Sequence, residues 1–248
     1  MKKYLTFTYS LVGYIFSIIT LSFLILWVYP WEFLPFNIDT PMMRIDANPM
    51  LINTALLLFF GLQHSLMARS FFKDGLLKNL STAVKSATYS LASSICLVMI
   101  FYFWQPIEGY VWNFQSDMVF WSITMLYILG WLTAFVATFI IDHFELFGLH
   151  QGYRALKNLP EPKVKFQVRF FYKYIRHPIQ AGTLVGLWAT PSMSYGHLLL
   201  SIGMTVYVFI GLYYEEKSLI KTFGEEYREY MKSTPMLIPF TLTACHQL

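Results

Sequence analysis

Charge is what this chain is short of. Only 13% of its 248 residues are Asp, Glu, Lys or Arg, about half the share of an ordinary soluble domain. That scarcity argues against a water-soluble globule, and against an acidic groove or nucleic-acid surface for a macromolecular partner. Cysteine is scarce too. Cys96 and Cys245 are the only two, one inside an apolar run and one near the C-terminus, so no disulfide framework is expected. Cys96 is expected to pack as a small hydrophobe. No HExxH or CxxC spacing marks a metal site, and none is expected. The chain has no internal repeat or low-complexity tract.

Apolar sequence fills the space that charge leaves: 56% of residues are hydrophobic and 19% aromatic. Tyr4–Tyr29, Met50–Ala68, Ser86–Trp104, Met118–Ile141, Ile179–Ser194 and Leu198–Tyr214 contain no charged residue. A spanning helix needs roughly 20 apolar residues, and most of these runs approach that length, the last two being short. Backbone in lipid must satisfy its own hydrogen bonds, so the runs predict helices. The expected fold is all-α and integral to the membrane, with about six transmembrane helices and a C-terminal cytoplasmic interfacial helix. One domain, residues 1–248, is expected: a four-helix part over 1–141, a cytoplasmic connector over 142–178, a helical hairpin over 179–214 and a tail over 215–248.

The basic residues predict the orientation. Of the 18 lysines and arginines, only Arg44 falls in the acidic first loop with Glu32, Asp39 and Asp46; the other 17 (18 − 1) fall on one side of a six-span path. The positive-inside rule then places both termini in the cytoplasm, in the inner (plasma) membrane. The net charge of +4 requires no nucleic-acid partner, because anionic lipid accounts for it. No obligate protein partner is evident. The first run is too long for a cleaved signal and is expected to be retained.

Five of the six histidines, His64, His143, His150, His177 and His246, lie at or beyond the cytoplasmic boundary of this topology, and His197 lies in the external turn. Gln63-His64-Ser65 interrupts an apolar helix. An ionisable residue there faces a bundle interior or an aqueous cavity, either to transfer protons or to bond a neighbouring helix. Asp142-His143-Phe144-Glu145 follows the fourth run. Those side chains can orient one another, accept a proton or bind a cation, or form a solvated helix end.

Arg176-His177-Pro178 opens the fifth run. Proline suits the first helical turn, and the free N–H groups there can receive an anion, with Arg176 adding a planar donor. Gly182 and Gly186 form a GxxxG step that permits close approach of a helix or a ligand. Glu215-Glu216 follows the sixth run, where two carboxylates at a helix C-terminus would oppose its dipole. An amphipathic interfacial helix should follow, interrupted at Gly224.

The array Arg176-His177-Pro178, Gly182, Glu215-Glu216, Leu219, Phe223-Gly224, Tyr227, Tyr230, Pro235 and Ile238-Pro239 resembles the C-terminal signature of the isoprenylcysteine carboxyl methyltransferase and phospholipid methyltransferase superfamily. Gly61-Leu62-Gln63-His64-Ser65, Asp142-His143-Phe144-Glu145-Leu146-Phe147-Gly148 and Trp188-Ala189-Thr190-Pro191 resemble methanethiol S-methyltransferases and their NnrU-like relatives. The resemblance implies a cytoplasm-facing S-adenosylmethionine site built from Arg176, His177, Pro178, Gln180, Gly182, Glu215 and Glu216. Gln180 stands where those families usually carry tyrosine, which removes that ring's contact. It also implies methylation of a small thiol, methanethiol to dimethyl sulfide, by in-line thiolate attack. His64, Asp142 and His143 are the candidates for the base, unranked. On this reading Glu216→Ala mainly abolishes cofactor binding. The alternatives are an isoprenylcysteine carboxyl or lipid methyltransferase and, in another class, a haem- or quinone-binding membrane protein using His64 and His143.

Overall fold

The computed structural model describes residues 1–240 apart from Glu32, Ser70, Phe71, Lys73, Asp74, Leu76, Lys163 and Val164. Cys245 and His246 lie outside the described residues, as do four of the charges counted above, Glu32, Lys73, Asp74 and Lys163. The chain divides into two compact units. The first holds Met1–Gln115, Asp142–Glu161 and Pro191–Met204; the second holds Ser116–Ile141, Pro162–Thr190 and the chain from Thr205 on.

The first unit is built on α1 (Lys2–Val28), α2 (Pro49–Ala68) and α3 (Thr82–Phe103). Asn48 caps α2 by accepting from the Met50 and Leu51 N–H groups, with Pro49 at the first helical position. Helix α1 buries Ser10, Gly13, Ser17 and Thr20, a stripe of small residues at helical spacing. Lipid gives no hydrophobic drive between helices, so close approach of small residues holds them together. A Cβ on Gly13 would meet the Ala87 carbonyl oxygen at 3.2 Å, and Ser94 Oγ donates to Ser17 Oγ at 3.0 Å. Asn53 is fully buried and exchanges two hydrogen bonds with the Gln105 backbone, of 2.7 and 2.8 Å. That pair ties α2 to the end of α3. The short helices α5 (His143–Leu146) and α6 (Leu149–Lys157) complete the unit, with α6 against α1 and α3.

A two-stranded antiparallel ribbon joins β1 (Tyr110–Asn113) to β2 (Ser192–Ser194) in the same unit. No periodicity announces it; the strands are only four and three residues long.

The second unit pairs α4 (Asp117–Ile141) with α7 (Pro178–Trp188). A Cβ on Gly182 would sit 2.5 Å from the Gly130 carbonyl oxygen, and one on Gly130 would sit 2.8 Å from the Gly186 N. The GxxxG step is therefore a helix-packing surface. Among the described residues, five helices are long and apolar enough to cross a membrane: α1, α2, α3, α4 and α8 (Tyr195–Phe223). The fifth run, Ile179–Ser194, instead yields α7 of 11 residues followed by β2. At 1.5 Å per residue α7 is about 16 Å long, roughly half the hydrocarbon core.

Helix α8 also departs from expectation. It continues through Glu215-Glu216 to Phe223, so the two carboxylates lie inside a helix and not against its C-terminal dipole. The break falls at Gly224, whose φ of 62° is a left-handed value that glycine tolerates. Helix α9 (Glu225–Ser233) follows.

Candidate functional site

The start of α7 and the later turns of α8 meet through charge in the second unit. Arg176 precedes α7 and is buried, as is Glu216 at 2% exposure. Arg176 Nε donates to Glu216 Oε1 at 2.7 Å and Nη2 approaches the same oxygen at 2.7 Å. Arg176 Nη1 donates to the Met231 carbonyl at 3.3 Å and also to the Thr234 carbonyl. Backbone bonds from Arg176 N to Pro235 O (2.9 Å) and from His177 N to Met236 O (3.1 Å) fasten the same segment. Arg176 is thus a clamp joining α7, α8 and the chain after α9, with its buried charge paired and hydrogen-bonded, as burial demands.

His177 is buried beside this pair, its Nε2 3.2 Å from Glu216 Oε1 and its Nδ1 3.9 Å from Glu215 Oε2. Gln180 Nε2 donates to Glu215 Oε2 at 3.2 Å. The Glu215 side chain is 47% exposed, so it remains open to a ligand where Glu216 is committed. Pro178 occupies the first position of α7. Gly182 faces α4 through its missing side chain.

Tyr227 and Tyr230 of α9 close the cluster. The Tyr227 hydroxyl is buried and has no hydrogen-bond partner among the described residues. Burial raises its pKa, and the charges of Glu216, Arg176 and Glu215 reach it. Tyr230 is pushed up to about 12, chiefly by burial, and its hydroxyl donates to the Tyr172 carbonyl. Phe166 packs against both rings, with centroids 5.9 and 5.4 Å away.

The base candidates occupy the first unit. His64 Nδ1 lies 2.9 Å from Ser93 Oγ and Nε2 lies 2.6 Å from Tyr89 Oη, so both ring nitrogens have hydroxyl partners. Axial ligation of a haem would have to break one of these bonds. His143 is buried, its Nε2 3.1 Å from Tyr14 Oη. Burial lowers its pKa, while the Asp142 charge acts in the opposite direction. Asp142 caps α5 by accepting from the Glu145 N–H at 3.0 Å and lies 3.0 Å from His150 Nδ1.

Ligand atoms of Asp142, Glu145 and His150 lie within 4.8 Å of one another. Arg154, however, takes both Glu145 oxygens in a bidentate pair at 2.6 and 2.8 Å. The arginine already supplies the positive charge that a metal would. Tyr14, Tyr89, Ser93 and Arg154 are partners that sequence inspection missed, because each bond crosses between helices or loops without a local pattern. Tyr227 was legible only as part of the C-terminal array.

Membrane-length helices and a buried ion-pair cluster where the start of α7 meets α8 define an integral-membrane helical protein with a polar site. Neither a protein-family model nor a solved structure matches the chain. It is 34% identical over 240 residues to a methanethiol S-methyltransferase of Mycobacterium tuberculosis, covering 97% of this chain and 98% of that one. It is 41% identical over 210 residues to that of Pseudomonas deceptionensis, covering 82% and 80%. A Nurim homolog of Drosophila pseudoobscura pseudoobscura is 33% identical over 197 residues, covering 74% and 76%. The chain belongs to the methanethiol S-methyltransferase family.

Proposed function

We propose that this protein methylates methanethiol to dimethyl sulfide with S-adenosylmethionine as donor, at the cytoplasmic face of the membrane. The observation that carries the reading is identity of 34% and 41%, over most of the chain, to proteins named for that reaction. The donor supplies a methyl group already activated on a sulfonium, so the protein must hold it, exclude water and accept the thiol proton.

The second unit suits such a ligand. Glu216 is committed to Arg176, whereas the Glu215 carboxylate is 47% exposed and is the negative group left open to a cation. Exposed Glu215 and Gln180 are the groups proposed to touch the cofactor, with the N–H groups opening α7 for its carboxylate. Arg176, His177, Pro178 and Glu216 hold that surface in shape, and Gly182 sets the spacing of α7 from α4. The orphan Tyr227 hydroxyl also fits a bound polar group, since a buried hydroxyl without a partner is costly.

Attack forms a carbon–sulfur bond at the methyl carbon, breaks the sulfonium bond and releases the thiol proton. A thiol is mostly protonated near neutrality, so a base is needed. His64, Asp142 and His143 remain the candidates. Burial favours the neutral imidazole of His143, the form that accepts a proton. Headspace gas chromatography of purified protein tests the reading. Dimethyl sulfide should appear only when methanethiol and S-adenosylmethionine are both present. Methylated prenylcysteine from a parallel incubation, without dimethyl sulfide, would move the substrate to an isoprenylcysteine.

A further inference from the structure

The segment before α7 carries a second feature that methyl transfer does not use. A short 3₁₀ helix, Phe170–Lys173, borders an open pocket of about 410 Å³ lined by Val168, Arg169, Phe170, Phe171, Lys173 and Tyr174. The Phe170 side chain is 70% exposed and Tyr174 is 60% exposed. Phe170 has a φ of 45°, a left-handed backbone that a bulky residue rarely adopts. Large exposed rings on a soluble surface would be a liability; at a bilayer boundary they are the expected composition.

The level of this segment follows from its tethers. The Tyr172 hydroxyl donates to the Ala137 carbonyl at 3.5 Å, one turn before α4 ends at Ile141. Tyr230 holds the Tyr172 carbonyl from the other side. Tyr172 therefore fixes the 3₁₀ helix at the polar end of a membrane-length helix, while its neighbours Phe170 and Tyr174 stay exposed. Arg169 and Lys173 flank the same pocket, and among the described residues neither forms an ion pair. Two uncommitted cations beside exposed rings complement a phosphate carried on an acyl chain.

We propose that this face of the second unit docks an anionic phospholipid, its phosphate at Arg169 and Lys173 and its glycerol boundary against Phe170 and Tyr174. The site requires no turnover and stands whether or not the methyl-transfer reading does. Near a lipid surface each basic residue contributes a factor of about five in binding, so the pair is expected to give roughly tenfold or greater enrichment.

The test uses the full chain in nanodiscs of equal phosphatidylglycerol and phosphatidylcholine, with protein-retained lipid counted by native mass spectrometry. The wild type should retain phosphatidylglycerol about tenfold over phosphatidylcholine. Arg169→Gln with Lys173→Gln should lose most of that preference, and Arg169→Lys with Lys173→Arg should keep it. Equal retention of the two lipids by the wild type would overturn the proposal, as would undiminished preference in the glutamine variant. Displacement by millimolar inorganic phosphate would also overturn it, making this a free-anion site.

Discussion

Glu215 and Glu216 are adjacent in sequence yet play different parts, and substitution should separate them. Glu216→Ala leaves Arg176 buried without its carboxylate, which costs about 3–5 kcal/mol. Burial thus changes the expectation from sequence: a thermal melt should show a large loss of stability before any specific loss of cofactor. Glu215→Gln removes an exposed charge and should leave the melt within about 0.5 kcal/mol of wild type. On the proposed role it should weaken S-adenosylmethionine binding about tenfold by calorimetry. Normal affinity in Glu215→Gln would remove that residue from the cofactor site.

His143 makes a pH prediction. Burial holds its folded pKa below the ordinary value of about 6.5. Between those two values the unfolded chain binds a proton that the folded chain does not. Its contribution to stability is therefore complete above about pH 6.5 and declines as the pH falls toward the lowered value. His143→Gln should shrink the drop in melting temperature between about pH 7.5 and about pH 5.5; an unchanged drop would place the titration elsewhere.

At the scale of elements, two glycines should respond with opposite sign. Gly182→Ala forces a methyl to 2.5 Å from the Gly130 carbonyl oxygen. Separating α7 from α4 is expected to cost about 1–3 kcal/mol. Gly211→Ala, within α8, meets nothing inside 4 Å and should stabilise the helix by about 0.5–1 kcal/mol. Comparing the two melting temperatures checks the helix pairing directly. Much of this scale was legible in the sequence, because charge-free runs of about 20 residues leave backbone in lipid little choice but helix. The ribbon of β1 and β2 was not, since strands this short carry no period. Nor was the full length of α8: Leu219, Ile220 and Phe223 read as the start of a separate interfacial helix, and only Gly224 marked the break correctly.

For the whole molecule, the apolar helices make an integral membrane protein, and the family places it among methanethiol S-methyltransferases. The site was partly legible at this scale. Arg176, His177 and Glu216 could be matched from the two ends of one hairpin, because a buried charge needs a partner of opposite sign. The hydroxyl partners of His64 and His143 could not, since Tyr14 lies 129 residues from His143 and no spacing rule connects them. Membrane orientation makes its own prediction: cysteines introduced at Lys3 and Lys232 should both be protected from an impermeant maleimide added to intact cells. Labelling of either from outside would contradict cytoplasmic termini.

The most direct test of the central claim follows the methyl group itself. Purified protein is given methanethiol and S-adenosylmethionine deuterated in its transferable methyl, and the headspace is read by mass spectrometry. Dimethyl sulfide carrying one fully deuterated methyl, formed only with active protein, is the expected result. Unlabelled dimethyl sulfide, or none from protein that still binds the cofactor, would contradict transfer from the sulfonium to this thiol.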